Sequence, residues 1–545
     1  MLYSLSAACL QDKPAMSNYF KTPLTRRQCL SLLAKAGSSS AVLGAAGIFG
    51  LTNIPVNASP VALKPLQGKN RKVLILGAGI SGLTAAYELE RAGYRCTILE
   101  ASHRVGGRVL TLRHGDFIDE LGSPQICPFD DAPNLYFNAG AARIPAHHTG
   151  ILHYCRTLGV ELQLFSNHNK NCYTQDDAAF NGQPVRIREY EADMRGFIGE
   201  LLAKSATAGA MLDQPFDEQD LDKFIQFAQA YGDLDSSLTY RGTDRAGYAS
   251  GGVTTAGILK QPRPLPELLR SDFCTGAMHF AEIADQAPAL MTPSGGMDSI
   301  VKAFLRQLTT PIQLHCQVSN IQLQPQGVAV TYLKQGESYT EQADYCLNCI
   351  PAQLVSGIEN NLPADYVAIM SQLGRGKLTK IGLQAKQRFW EQEDIYSGIS
   401  WTKQDITQIW YPQHDAFKAK GILLGAYSWE PQISDRFAAM THQQRLATAI
   451  AQGTKVHANY AQHIENGVSV CWQRMNHMLG CGAVWTEELQ KTGFKLLQAP
   501  AGNHYLMGDQ LSLHPGWQEG AVRSAWHALA DIERRETLRS TGAQA

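Results

Sequence analysis

Past residue 70 the chain begins with an unbroken apolar run, Lys72-Val73-Leu74-Ile75-Leu76, of the kind that forms a strand buried on both faces. Residues 81–91 then show helical periodicity, with Leu83, Ala86, Tyr87 and Leu89 on one side, and Arg95-Cys96-Thr97-Ile98-Leu99 supplies a second strand. The spacing predicts a strand–helix–strand unit of parallel sheet. From 151 to about 286 the pattern is mostly helical, with amphipathic stretches at 189–203 and 218–230. Strand and turn signals return around Met291-Thr292-Pro293-Ser294-Gly295-Gly296-Met297 and continue at 312–316, 321–323, 328–332 and 345–350. A second mixed region covers 371–494, and the last fifty residues read as a strand, a loop and a helix. The pattern is α/β (α+β). It predicts a nucleotide-binding domain from segments 71–150, 291–370 and 495–545, a second domain with a mixed sheet at 371–494, and a helical region at 151–290.

The first 70 residues have a different character. Thr25-Arg26-Arg27-Gln28-Cys29-Leu30 precedes an apolar stretch ending at Leu51, and Val56-Asn57-Ala58 offers small residues suited to a cleavage site. This is the layout of an export signal, and the paired arginines point to the twin-arginine route. The expectation is a signal at 1–58, a linker at 59–70 and an exported mature protein. The apolar core is far shorter than the roughly 20 residues that span a bilayer, so no membrane anchor is expected after processing. Cys29 and Lys35 depart from the usual pattern of such signals.

Composition narrows the function classes. The 545 residues carry a net charge of −1, so no global field recruits nucleic acid. The 12 cysteines lack the spacing of a disulfide scaffold. Cys346 and Cys349 form a C-x-x-C inside a stretch that reads as a buried strand, where they point to opposite faces and are expected to be core. No metal site is expected.

Gly77-Ala78-Gly79-Ile80-Ser81-Gly82 is G-x-G-x-x-G directly after a strand and opening a helix. Gly77 permits the tight turn, Gly79 lets the backbone approach a pyrophosphate, and Gly82 lets helix and strand pack closely. Glu100 closes the second strand, where a carboxylate accepts hydrogen bonds from ribose hydroxyls and repels a 2′-phosphate. This fingerprint alone does not separate FAD from NAD.

Gly106-Gly107-Arg108-Val109-Leu110-Thr111 helps, because it resembles the Gly-Gly-Arg-x-x-Thr signature of the flavin amine oxidase family. Tyr505-Leu506-Met507-Gly508-Asp509 adds a second segment, some 400 residues on, that resembles the family's C-terminal cofactor strand. The resemblance covers nearly all of the chain beyond residue 71. It implies a Rossmann-like FAD-binding domain with an interleaved substrate domain. Arg108 would be a fixed cation for phosphate, and Asp509 would hold the ribityl chain or cap the pyrophosphate site, although the family more often has Glu there. It extends the cofactor set to Ile80, Ser81, Ala101, Ala142, Val318, Gly508 and Ala521. No cysteine lies near 511–516, where some relatives tether the flavin, so non-covalent FAD is expected, with His514 the one alternative tether.

Within that family, Gly140-Ala141-Ala142-Arg143-Ile144-Pro145 looks like the Gly-x-x-Arg-Ile/Val-Pro motif of L-amino-acid oxidases, whose arginine grips the substrate carboxylate. Guanidinium matches two parallel donors to the two oxygens. Lys380, before Arg388-Phe389-Trp390, resembles the family lysine that holds a water beside the flavin. Tyr427 resembles a second carboxylate contact, Trp517 a wall beside the substrate amine, and the Gly516 carbonyl the amine acceptor. Lys377 and Lys386 read as surface lysines.

The resemblance therefore implies oxidative deamination of an L-amino acid by FAD and oxygen, in a family that often dimerises. Alternatives are a decarboxylating amino-acid 2-monooxygenase, an amine or polyamine oxidase lacking use for Arg143, and a flavin-binding scaffold without turnover. Trp401, Trp410, Trp429, Trp472 and Trp485 point to an aromatic pocket without placing it.

Overall fold

Val73 and Ile75 face one way along the first strand, Leu74 and Leu76 face the other, and each pair has its own core. That alternation follows from the period of two along a strand whose faces are both covered. The computed structural model describes residues 71–209 and 217–541. The expected signal and linker at 1–70 lie outside the described residues.

Lys72–Leu76 is the middle of a five-stranded parallel sheet in the order Ile312–Gln313, Arg95–Leu99, Lys72–Leu76, Tyr345–Asn348, His504–Leu506. Val73 pairs with Cys96 on one side and Tyr345 on the other. Helices Ile80–Arg91 and Gln518–Thr541 pack together on the Val73 face, burying Leu83, Tyr87, Trp526 and Leu529. On the Leu74 face lies a smaller sheet of Gln317–Gln324, Gly327–Lys334, Glu337–Ala343 and Glu359–Asn360.

A seven-stranded sheet forms the second half, in the order Val185–Arg186, Tyr173–Gln175, Gly398–Thr402, Gln408–Tyr411, Gly421–Ser428, Thr379–Ala385, Ile464–Cys471. Lys380 sits directly opposite Tyr427 in this antiparallel pairing, so both side chains leave the sheet on the same face.

Three expectations change. The region 151–290 holds long helices at Ile187–Thr207 and Glu218–Gly232, but it also contributes strands. Tyr173–Gln175 and Val185–Arg186 extend the seven-stranded sheet, and Leu162–Phe165 pairs with Leu290–Pro293. Strands of two to four residues carry too few alternations to be read from a pattern. Cys346 is buried in one core and Cys349 packs against the other, on the opposite face as expected, but the strand ends at Asn348 and Cys349 also lines a cavity. Both thiols are free. Lys386 is exposed, whereas Lys377 is partly buried and paired with Asp435 at 2.5 Å. Among the described residues no helix is long and apolar enough to cross a membrane.

Candidate functional site

The turn between the first strand and its helix is held by backbone geometry. Gly77 has φ +105°, a conformation side chains resist, and its N–H donates to Leu99 O at 2.8 Å. A Cβ on Gly82 would lie 2.1 Å from Gly77 O, so helix and turn touch there with no room for a side chain. A Cβ on Gly79 would instead meet nothing within 4 Å, because it faces the open end of a cavity. Glu100 is buried beneath this turn, accepting from Ala78 N at 2.7 Å and Ser102 N at 2.8 Å. Opposite stands a second glycine turn, Gly106 and Gly107, whose Gly106 N–H donates to Ala78 O at 2.9 Å.

These turns form one end of a cavity of about 960 Å³, at the upper end of what cofactor sites occupy. It is lined by Gly77, Gly79, Ile80, Ser81, Glu100, Ala101, Gly106, Gly107, Arg108, Ala142, Arg143, Val318, Lys380, Tyr427, Gly508, Asp509, Gly516, Trp517 and Ala521. Every residue singled out above for cofactor or catalysis is therefore on this wall except Gly82, which supports it from behind. His514 does not line the cavity and stacks its edge toward His148 at 5.6 Å.

Arg108 and Asp509 meet here as partners of each other. Arg108 Nη1 donates to Asp509 Oδ2 at 2.8 Å and to Cys481 O at 2.8 Å, and its Nη2 bonds Asp509 Oδ1. Asp509 also accepts from Gly516 N at 2.7 Å. Arg108 is one half of a bidentate pair that pins the Gly516 loop to the cofactor wall. Burial favours the neutral carboxyl, but Arg108 outweighs it and holds Asp509 below the usual carboxylate range.

The other end of the cavity belongs to the second sheet. Lys380 is buried, its Nζ donating to Gly140 O at 2.7 Å and lying 4.7 Å from the Tyr427 ring centre. Burial, reinforced by the nearby Arg143 charge, pushes its ammonium down to about 7. Trp472 Nε1 donates to Ala139 O at 2.9 Å, so Lys380 and Trp472 together fix the 139–140 backbone that leads to Arg143.

Arg143 lies between Trp410, 4.9 Å from its ring centre, and Trp517 at 5.5 Å, with Phe280 at 5.9 Å. Its guanidinium interacts with the Tyr427 hydroxyl, and Nε donates to Gln286 Oε1 at 2.9 Å. Burial lowers its pKa, but an arginine stays charged throughout the working range. No acidic side chain among the described residues pairs with it directly. A fixed cation walled by aromatic rings, with donor capacity beyond its bonds to Gln286, has the chemistry to receive a small anion.

Gln286, Trp410 and Phe280 were not singled out for this role by the sequence. Gln286 has no motif around it and reaches Arg143 only because Ile144–Pro145 pairs with Leu290–Met291. The tryptophans sort themselves: Trp429 and Trp472 line the cavity, Trp410 faces Arg143, Trp401 packs on Phe280 at 5.0 Å, and Trp485 lies in the core beside Phe494.

A parallel sheet with a glycine turn at its carboxyl edge, facing a second sheet that presents a buried lysine, defines a dinucleotide-dependent oxidoreductase with a separate substrate wall. The comparisons agree. The model of the flavin containing amine oxidoreductase family matches residues 80–532. An L-amino-acid oxidase from Siganus canaliculatus is 28% identical over 487 residues, covering 87% of each chain. A flavin-dependent L-tryptophan oxidase from Lentzea aerocolonigenes is 26% identical over 497 residues, 85% of this chain and 98% of that one. In structure, putrescine oxidase bound to putrescine superposes with a TM-score of 0.57 at 20% identity, over 85% of this chain and 98% of that chain. Cyclohexylamine oxidase from Brevibacterium oxydans IH-35A gives 0.57 at 17%, over 86% and 100%. The solved structures speak for the fold.

This chain belongs to the flavin-containing amine oxidoreductases. It is an oxidoreductase of that family, and its cofactor is a flavin. The open cradle above Gly79 and the buried Glu100 carboxylate fit a flavin carried on a dinucleotide.

Proposed function

We propose that the chain is an FAD-dependent L-amino-acid oxidase, converting an L-amino acid, oxygen and water to the 2-oxo acid, ammonia and hydrogen peroxide. The observation that carries this reading is Arg143, a buried cation with no acidic side chain bonded directly to it among the described residues, beside Tyr427 at the end of the flavin cavity. A simple amine brings no carboxylate to balance that charge. The names of the relatives from Siganus canaliculatus and Lentzea aerocolonigenes support it.

Gly77, Gly79, Glu100, Gly106, Gly107 and the Arg108–Asp509 pair would hold FAD without a covalent tether. Bound FAD supplies a two-electron acceptor for the substrate Cα–H and a donor to oxygen. Arg143 and Tyr427 bind the carboxylate and thereby fix the orientation of Cα. The Gly516 carbonyl accepts from the amine, and Trp517 closes one side and excludes water. Lys380, held by Gly140 O, has an Nζ that carries or releases a proton near neutral pH, and its charge favours reduction of oxygen.

The test is a panel of L-amino acids offered in air to the purified yellow protein. Peroxide with equimolar 2-oxo acid supports the oxidase; amide with carbon dioxide assigns a monooxygenase; turnover only of amines lacking a carboxylate overturns the role of Arg143. We further propose export by the twin-arginine route, which carries folded protein and so suits a preloaded cofactor. Replacing Arg26 and Arg27 by Lys should retain the protein in the cytoplasm.

A further inference from the structure

Two imidazoles and a carboxylate converge just outside the Arg143 end of the cavity, and the chemistry above uses none of them. His147 Nε2 lies 2.8 Å and His148 Nε2 3.0 Å from the same oxygen, Asp285 Oδ1. One ligand-capable atom from each of the three residues lies within 4.8 Å of the others. Neighbouring side chains normally diverge. Here consecutive tight turns, His148 N to Pro145 O at 3.0 Å and Thr149 N to His147 O at 2.9 Å, fold both rings to one side with centres 4.7 Å apart. The second oxygen, Oδ2, makes no hydrogen bond among the described residues. His148 is buried against the edge of Trp517, whereas half of the His147 side chain is open to solvent. The cluster thus has a fixed inner wall and an open outer one.

We propose that His147, His148 and Asp285 bind one divalent transition-metal ion of the zinc class, with water completing its coordination on the open side. Two neutral imidazole nitrogens and one carboxylate oxygen suit zinc, whereas magnesium and calcium prefer oxygen alone. Ligands about 2 Å from a tetrahedral ion stand about 3.3 Å apart. The two separations from Asp285 Oδ1, 2.8 Å to His147 and 3.0 Å to His148, reach that value through a shift of a few tenths of an ångström by the partly exposed Asp285 carboxylate together with the exposed His147 ring.

The position gives the ion a task. Ala146 N donates to Ala289 O at 3.0 Å, and residue 285 immediately precedes Gln286, which holds Arg143. An ion bridging residues 147 and 148 to residue 285 clips together the two segments that carry Arg143 and its anchor. By linkage, zinc and a carboxylate substrate then tighten each other's binding. Only this last step rests on reading Arg143 as the carboxylate site.

The experiment uses the full FAD-loaded protein, stripped with a chelator and titrated with Zn²⁺ alone. Metal retained after desalting and the melting temperature are both read. Expected are one zinc per chain and a Tm rise of about 2 °C at a hundredfold excess over Kd. His147→Ala and Asp285→Asn should each weaken zinc binding by at least about tenfold while keeping the yellow colour. Zinc that is not retained, or is retained equally by both variants, overturns the site. Stoichiometric zinc lost in both variants upholds it even if no amino acid is turned over.

Discussion

Gln286 Oε1 accepts from both Nε and Nη2 of Arg143, 143 residues earlier in the chain. One amide oxygen thereby fixes the plane of the guanidinium and leaves its remaining donors turned to the cavity. Arg143→Ala should raise KM for the amino acid about a hundredfold, the value of a bidentate charged pair. Gln286→Ala should raise it about tenfold with kcat nearly unchanged, since the cation remains but its orientation is lost. Steady-state kinetics on protein of matched flavin content checks both. Equal KM values in wild type and Arg143→Ala would remove the carboxylate site.

Lys380 carries the pH prediction. Burial and Arg143 push its pKa down from 10.5 to about 7, so its charged form is present below that pH and lost above it. If the charge promotes the reaction with oxygen, reoxidation of the reduced enzyme slows as pH rises through about 7. Lys380→Met should reoxidise about a hundredfold more slowly and lose this step in the profile. Stopped-flow mixing of pre-reduced enzyme with oxygenated buffer reads the rate. Stability follows the opposite sense. Between about 7 and 10.5 the unfolded chain binds the proton and the folded one does not, so stability from this group rises with pH. Urea unfolding of wild type against Lys380→Met at pH 6.5 and 9 should show wild type gaining.

The glycines of the first turn separate folding from binding. Gly82→Ala places a methyl 2.1 Å from Gly77 O, so helix and strand must part, at about 3 kcal/mol, and the purified protein should be colourless. Gly79→Ala meets nothing within 4 Å and keeps φ near −79°. It should unfold at the same urea concentration as apo wild type yet lose most FAD affinity, because the methyl occupies the cradle. Flavin absorbance after desalting distinguishes the two.

What could be read from the residues alone was whatever is encoded locally. Gly77 to Glu100 forms one continuous unit whose turn, helix and acid appear in order, and the Arg143 and Lys380 segments carry residues on both sides that identify them. Gln286 and Trp410 were beyond reach for the opposite reason. Their part in the site arises from strand pairing across long stretches of chain, and nothing adjacent to them records it. The short strands at 173–175 and 185–186 escaped likewise, since sheet membership there comes from a partner at 398–402 or from each other and not from their own alternation. Arg108 shows a third case. Its position on the cofactor wall was legible, but its partner was not, because Asp509 lies 401 residues away.

That partner gives a final test. Asp509 binds the Arg108 guanidinium through both oxygens and also takes the Gly516 N–H. Asp509→Asn keeps the shape and an acceptor for Gly516 but leaves the Arg108 charge uncompensated against the cavity wall. Loss of one member of such a pair should cost about 2–3 kcal/mol in urea unfolding of the apo protein. The Gly516–Trp517 loop should loosen with it, raising KM as well as weakening FAD. Because Arg108 lowers the Asp509 pKa below its ordinary 3.8, the carboxylate stays ionised through mildly acid solution. Its contribution is lost only as pH falls through that depressed value. The stability gap between wild type and Asp509→Asn should therefore be as large at pH 5 as at pH 7. A gap that shrinks at pH 5 would mean that the carboxylate is not held ionised by Arg108, and that the loop is fixed by something other than this pair.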